Sequence, residues 1–541
     1  MPVQISYPGV YVDELPSRSP SIMGVTTATT AFIGRAQCGP VDKPITVFSL
    51  REFEHRFQSD EEIEVADYPM VAAVHHFFLN GGSEAIIIRR FIKPELKTAS
   101  ANDESASASA QLIVDGIGFC ADNPGSWGNE ISIEIDKNGI TEQVAAITQG
   151  NAISQEPSSA VQKALTKADL FNLTVLYQGR QVERFPCVTL MGNEKSAIRV
   201  DCVLKQQSSY LKIVGNLPDL VLDSAVSAQF SGGIDSGLLS NSADYLGDQL
   251  AQTGMYTLNN VDVFNLLCIP ADQGTKDETL VAINPIVANF CEQKRAIFIT
   301  EPLDRWTGKA NKGLWSDIQV TDLGITGIAS RFACTYFPKV EMSPISEKSA
   351  EPNSSEVFSS SGVIAGVMAS NDMTRGVWAA TAGQSAVMVG VTGLAVKMDD
   401  KCNEILNALG INCLRNFPVI GPVVWGSRTL RGADLLADDY KYLNVRRLTN
   451  YIELSLQQGI AWAAFEQNDE ALWSQLRLSI NEFMQGLAKQ GAFYAFKVSC
   501  DATTTRVQDV MMGIVNIQVS FAPSYPDEFI VVRLQQATNG S

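Results

Sequence analysis

The sequence predicts a multidomain protein of α/β (α+β) class. A layered α/β unit is interrupted by a β-rich insertion and followed by an α+β unit of helices on a small sheet. Three observations carry this expectation. Short apolar runs alternate with amphipathic segments from residue 22 to about 375, the pattern of strands and packed helices. Between residues 100 and 235 that pattern gives way to runs of period 2. Near the C-terminus two long helical repeats precede two alternating runs. At 541 residues the chain is also too long for one ordinary core.

In chain order, Pro8, Pro16 and Pro20 exclude a helix from the first twenty residues, and Val10 and Val12 alternate with Tyr11 and Asp13. This is an extended arm with one short strand. A strand follows over 25–34, with Ala31, Phe32 and Ile33 at its apolar end. Ser49 is placed to cap a helix through Phe57. A second helix over 69–79 stops at Asn80-Gly81-Gly82, and 85–89 is a buried strand. A Ser/Ala-rich linker over 98–110 opens the insertion, whose strands fall at 131–135, 171–177 and 183–186. The α/β pattern resumes with a strand in 258–270, a helix over 279–294 and strands over 296–300 and 332–338. A polar loop over 346–361 and a close-packing helix over 362–369 come next, and 374–383 leads into the C-terminal unit.

The C-terminal unit opens with a turn-rich run, 417–430. Leu448, Tyr451, Ile452, Leu456, Ile460 and Ala463 form one helix face; Leu472, Leu476, Ile480, Phe483 and Leu487 form another. Asn468 is the expected N-cap of the second helix and Gly491 its stop. Strands over 493–499 and 514–521 then flank a polar turn, and a β-branched run over 526–534 precedes a polar tail. A two-stranded hairpin is marginal alone and needs helices or further strands. The expected divisions are 1–21, an extended arm; 22–99 with 236–375, the α/β unit; 100–235, the insertion; 376–525, the C-terminal unit; and 526–541, a terminal strand.

Hydrophobic residues at 45% and charged residues at 18% describe a globular chain, and a net charge of −18 argues against nucleic acid as a partner. Ten cysteines without a C-x-x-C pair read as free thiols of a reducing cytoplasm. No signal peptide is expected, and the longest apolar run, near 386–396, is far short of a membrane span. Phosphate-loop, nucleophile-elbow and H-E-x-x-H patterns are missing. His75 and His76 are adjacent on a helix, roughly 100° apart, and do not jointly face a metal; they read as surface or packing residues. No catalytic residue, cofactor or metal ligand is expected. The competing reading is a cytoplasmic α/β enzyme with a β-rich insertion and a site at a topological switch point.

Several stretches together resemble one family: Pro8-Gly-Val-Tyr-Val-Asp-Glu14, Pro124-Gly-Ser-Trp-Gly-Asn129, Trp425-Gly-Ser-Arg-Thr-Leu430, Asn444-Val-Arg-Arg-Leu448, Phe465-Glu-Gln-Asn-Asp-Glu-Ala-Leu-Trp473 and Pro526-Asp-Glu-Phe-Ile530. The chain is similar to the contractile tail sheath proteins of myophages and of related bacterial injection particles. The likeness touches nearly the whole chain and is weakest in the insertion. It implies a structural subunit, not an enzyme, that polymerises with itself, in hexameric rings, around an inner tube protein, with baseplate and terminal cap proteins as further partners. It also implies assembly in the bacterial cytoplasm and no insertion into membranes. Arm strands Val10, Tyr11, Val12 and Phe529, Ile530, Val531, Val532, Arg533 would join neighbouring subunits by β-augmentation. They would meet an acceptor hairpin carrying Phe496, Val498, Ile514, Ile517 and Val519. Residues 17–21 and 522–526 would be hinges, Arg477 and Lys489 would face the tube, and Arg446 and Arg447 would pair with carboxylates between subunits.

Overall fold

Apolar runs without alternation form the centre of the principal sheet, because a parallel strand covered on both faces has no solvent side. The computed structural model describes residues 21–58, 67–94, 108–143, 166–191, 197–218, 225–343 and 355–528. Strand β1 (Thr30–Gly34) is wholly buried and lies parallel to β3 (Ala85–Arg89), which is equally buried. Between them come edge strand β2 (Ile45–Val47) and helices α1 (Leu50–Phe57) and α2 (Pro69–Leu79). Ser49 caps α1 by accepting from the Glu52 N–H, and Pro69 opens α2 where its missing N–H has no intrahelical role. The strand expected over 25–34 is shorter. The Asn265 side chain accepts from the Thr29 N–H and donates to the Thr26 carbonyl, taking groups that a ladder would use.

The strands described in the insertion pair antiparallel. Its strands are β4 (Gln111–Val114), β5 (Ile117–Ala121), β6 (Ile131–Asp136), β7 (Leu170–Tyr177) and β8 (Arg180–Thr189); after α3 (Val200–Gln207) come β9 (Leu211–Val214) and β10 (Val226–Gln229). They form two sheets, in the orders β4-β5-β9 and β10-β6-β7-β8. Ile131, Ile133 and Ile135 point into a core shared with Trp127, Phe171 and Leu173, as the alternation requires. Buried Arg89 joins this unit to the first, donating to the carbonyls of Ala36, Gln37, Gly39 and Pro124. Gly125 has φ +141°, and a Cβ there would stand 2.6 Å from the Gln37 carbonyl. Most of the expected linker, residues 98–107, lies outside the described residues, as does most of the expected loop over 346–361.

The principal sheet resumes after α4 (Ser242–Leu246) with β11 (Leu266–Cys268), α5 (Asp277–Lys294), β12 (Ile297–Thr300), α6 (Asp304–Asn311) and β13 (Ala333–Phe337). Strands β14 (Val340–Met342), β15 (Glu356–Phe358) and β16 (Val391–Leu394) make a small separate sheet around α7 (Ser361–Arg375). After α8 (Asp400–Ala408), the principal sheet ends with β17 (Asn412–Phe417) and β18 (Gly421–Trp425). Its order is β18-β17-β13-β12-β11-β1-β3-β2, doubly wound about β1 and β11. Two expectations need correction here. The run over 417–430 is not all turn: β18 pairs with β17 residue by residue, and Pro422 is accommodated because β18 is an edge strand. The sheet therefore continues well past the boundary expected at residue 376.

Helix α7 packs on α2 at close range, because Gly362 and Gly366 leave the space. A Cβ on Gly362 would lie 2.1 Å from the Ala73 carbonyl, and one on Gly366 2.5 Å from that of Phe77. On α2, His76 is buried with neither ring nitrogen hydrogen-bonded, packed edge-on to Phe358. Burial lowers the pKa of His75 to about 4 and that of His76 to about 3. The C-terminal unit consists of α9 (Leu443–Gly459), α10 (Glu470–Lys489), β19 (Phe493–Ser499), α11 (Val507–Met511) and β20 (Gln518–Pro523).

Two predictions follow from this packing. Gly362→Ala is expected to cost about 1–3 kcal/mol by overpacking. Gly308→Ala, in α6 with open space around its Cβ position, is expected to be neutral or to stabilise by up to about 1 kcal/mol. Urea midpoints compare the two. For the histidines, the unfolded chain binds protons first as pH falls below about 6.5, so stability is full above that pH and declines toward pH 4. His76→Leu should flatten the decline in the urea midpoint between pH 6.5 and 5; an equally steep decline would remove these side chains as its source.

Candidate assembly site

Helix α9 is where the two described ends of the chain meet. Its expected apolar face is there, with Leu448 and Ile452 buried, but the first half is buried all round: Leu443 to Asn450 are inaccessible without a break. Such a helix lies inside the protein, and any charge on it must be paired there. Arg447 donates to both oxygens of Asp372 on α7, at 2.9 and 2.5 Å, and to the Thr27 carbonyl at 3.0 Å. Burial raises the Asp372 pKa, and Arg447 offsets this only in part. Arg446 bonds Asn450 and Glu453 and stacks on Phe332 and Tyr440. Both arginines, expected to reach carboxylates of other subunits, are consumed inside their own chain.

The N-terminal end runs backwards along α9. Ile22 lies against Gly459, Gly24 against the Tyr451 ring, and the Val25 N–H donates to Ser455 Oγ at 3.1 Å. The carbonyl of Thr27 then meets Arg447, and the chain enters β1. The arm residues Val10, Tyr11 and Val12, and the expected hinge 17–21 apart from Ser21, lie outside the described residues.

The C-terminal end crosses the start of the same helix. Asn444 donates to the Ser524 carbonyl at 3.4 Å, and the rings of Tyr525 and Tyr442 are 6.0 Å apart. Glu528 takes two hydrogen bonds from Arg428, at 2.7 and 2.5 Å, and one from the Tyr442 hydroxyl. The run 522–526, expected to be a hinge, is thus tied down at both ends. Phe529, Ile530, Val531, Val532 and Arg533 lie outside the described residues.

Between these two ends stands a hairpin with no further strand on either side among the described residues: β19 pairs only with β20. Its inner face carries Phe496, Val498, Val519 and Phe521, which pack with Ile517 against α9 and α10. Tyr494 and Lys497 face solvent. The second strand begins at Gln518 rather than at 514, because the backbone of Ile514 is taken by the Asp509 carbonyl and Asn468 and that of Asn516 by the Thr505 hydroxyl; Ile514 is 42% exposed and stands outside the hairpin. Helix α10 is capped by Asp469, which accepts from the Leu472 N–H. The expected cap, Asn468, instead accepts from the Trp473 indole and donates to the Ile514 carbonyl. Arg477 is engaged within the chain, donating to the Cys500 carbonyl at 2.6 Å and reaching Glu470 at 3.4 Å, whereas Lys489 is exposed in the last turn.

The other candidate location, the switch point of the sheet, is occupied by a closed ion pair. Arg35, just after β1, bonds both oxygens of Asp272 in the loop after β11, at 2.5 and 2.8 Å. Asp272 also accepts from the Leu239 N–H, and its own N–H donates to the Tyr245 hydroxyl. The Asp272 carboxylate and the Tyr245 hydroxyl both have partners within the chain. Among the described residues no three His, Cys, Asp or Glu side chains converge as a metal site. No helix among them is long and apolar enough to cross a membrane. All ten cysteines are free thiols, and burial raises those of Cys38, Cys334 and Cys413 to about 12.

An α/β body with tethered ends beside an open-edged hairpin defines a class of protein whose sheet has room for strands from elsewhere. Comparison with known proteins makes this specific: residues 437–537 match the phage tail sheath C-terminal domain. The tail sheath protein of Vibrio phage KVP40 is 32% identical over 143 residues, and that of Enterobacteria phage T4 is 27% identical over 141. Each match spans 26% of this chain and 21% of the relative. The fold is shared far more widely. The contracted helical sheath of the anti-feeding prophage superposes with TM-score 0.54 at 19% identity, covering 98% of this chain and 100% of that one. A sheath tail protein from Listeria innocua gives 0.58 at 11% identity, covering 93% and 96%. The likeness in sequence is confined to part of the chain, and the chain as a whole has the fold of these sheath proteins.

Because Arg447 and Asp372 are almost inaccessible, removing one partner strands the other's charge. Asp372→Asn is expected to cost about 3–5 kcal/mol. The double variant Arg447→Met/Asp372→Leu should recover much of that loss in urea unfolding. Equal losses for both would mean that packing, not charge pairing, governs this contact.

Proposed function

We propose that this protein is the structural subunit of a contractile sheath, which polymerises with its own copies around an inner tube and shortens to drive that tube through a target envelope. The observation that carries the reading is the open-edged hairpin β19–β20 flanked by the roots of both chain ends. A two-stranded sheet has backbone donors and acceptors along each outer edge, and an added strand satisfies them while neighbouring side chains set the register. Val10, Tyr11 and Val12 of one copy and residues 529–533 of another are the strands assigned to those edges. Phe496, Val498 and Val519 hold the acceptor hairpin on its helices.

Rings of six subunits, tied together by such strands, can rotate and slide without parting. The energy for shortening is stored when subunits assemble in an extended lattice and is released as further surface is buried. Assembly takes place in the bacterial cytoplasm, with the tube, baseplate and cap proteins as partners. Lys489, exposed at the end of α10, is the better placed of the two candidate tube contacts, since Arg477 is bonded within the chain.

The test is electron microscopy of the purified chain and of forms lacking residues 1–20 or 529–541. The full chain is expected to form hollow helical tubes or stacked rings. Each truncation should keep its circular dichroism and melting temperature within a few degrees yet remain unassembled. Tubes of normal dimensions from either truncated form would overturn the strand-exchange scheme, and a discrete small oligomer from the full chain would overturn the sheath reading.

A further inference from the structure

We infer that Arg428 and Glu528 form a latch that fastens the C-terminal strap, residues 524–528, to its own subunit. The expectation from composition was the reverse, since Ala522-Pro-Ser-Tyr-Pro526 reads as a flexible linker. The geometry assigns the run a fixed place. Its start is paired in β20, where Pro523 lies opposite Phe493 and Ala522 opposite Ala495. Its far end is the bidentate carboxylate of Glu528 on a guanidinium that is itself wholly inaccessible.

Between those two points the strap bridges open space rather than core. Residues 524–528 form one wall of a cavity of about 550 Å³, faced by Trp378, Asn403, Trp425 and Asn444. Packing beneath the strap is therefore sparse. Its other attachments are the long bond from Asn444 to the Ser524 carbonyl and the Tyr525–Tyr442 contact, so Glu528 bears most of any pull.

The anchor side is built to resist that pull. Arg428 also donates to the carbonyls of Asn407 and Gly432 and pairs with Asp434. Its backbone N–H donates to Asn412 Oδ1, and its carbonyl accepts from Asn412 Nδ2. One side chain thus connects the strap to the end of α8, to the 432–434 loop and, through Asn412, to β17 of the principal sheet. Burial disfavours its charge, but the Glu528 hydrogen bond and the nearby carboxylates more than compensate, and the Arg428 pKa is raised. If the chain assembles as proposed above, tension on the tail passes by this route into the sheet; that corollary rests on the sheath reading, whereas the latch does not.

The experiment is limited proteolysis of the isolated full-length chain with proteinase K, with cuts within residues 522–528 mapped by intact mass. Glu528→Gln and Glu528→Ala are expected to speed those cuts roughly tenfold or more. Asp527→Ala, at an exposed neighbour, should leave them unchanged. The Glu528 side chain is 16% exposed, and without it Arg428 keeps Asp434 and two carbonyls; urea midpoints measured alongside separate any global loss from local cutting. Cutting rates equal to those of the parent, or acceleration as large in Asp527→Ala, would overturn the latch. Tube formation by the parent chain is scored separately: fast cutting of the Glu528 variants with no tubes from the parent leaves the latch standing and removes the sheath reading.

Discussion

The constraint on which the structure depends is the burial of charge around α9. A helix surrounded on every side by its own protein would ordinarily be apolar, yet this one carries Arg446 and Arg447 in its first two turns. Arg447 is neutralised from another part of the chain, by Asp372 on α7, and Arg446 by Glu453 on the same helix while it stacks on Phe332 and Tyr440. A buried pair of this kind adds little net stability compared with apolar packing, but it tolerates only one arrangement of the elements that supply it. Here those elements are α7, α9 and the segment entering β1, so the pair fixes the C-terminal unit on the principal sheet. The raised pKa of Asp372 agrees with this view: burial works against the carboxylate, and the ion pair does not fully compensate.

That arrangement also decides where the chain ends emerge. The N-terminal segment is held along α9 by Thr27, Val25 and Ile22 in turn, and the C-terminal strap crosses the helix start and closes on Arg428. Both ends leave from the helix that supports the hairpin.

Much of this was legible in the sequence wherever a single periodicity acts alone. Helix α2, strand β3 and the Ser49 cap fall where periodicity and turn chemistry put them, since no distant contact competes there. The likeness to sheath proteins was legible because its motifs hold the joints: Pro124 accepts from Arg89, Arg428 from the Trp-Gly-Ser-Arg run bonds Glu528 from the Pro-Asp-Glu run, and Arg447 bonds Asp372. Errors cluster where a long-range partner overrides local preference. Proline and glycine in 417–430 suggested turns, but β17 supplies a partner that accepts β18 as an edge strand. The second hairpin strand starts late because Asp509, Asn468 and Thr505 take the backbone groups of Ile514 and Asn516. Asn468 lost its role as a cap because the Trp473 indole binds its side-chain oxygen, leaving Asp469 to cap α10. The arginines of α9 looked like surface charges, because no local pattern announces a carboxylate 75 residues away in sequence.

The doubly wound sheet poses a last question, since the crevice at its switch point is where such sheets commonly hold ligands. In this chain Arg35 and Asp272 meet across that crevice, and the surrounding N–H and hydroxyl groups complete the carboxylate's shell. A ligand entering there would have to break a buried ion pair and replace each of its hydrogen bonds. Beside that pair a cavity of about 740 Å³ lies along the carboxyl ends of β11 and β12, lined by Asp272, Thr275, Asp277, Glu301 and Lys339. Among the described residues β19 and β20 each have an outer edge without a further strand, as do the terminal strands of the other sheets. The backbone groups along those outer edges are the ones that an added strand would pair.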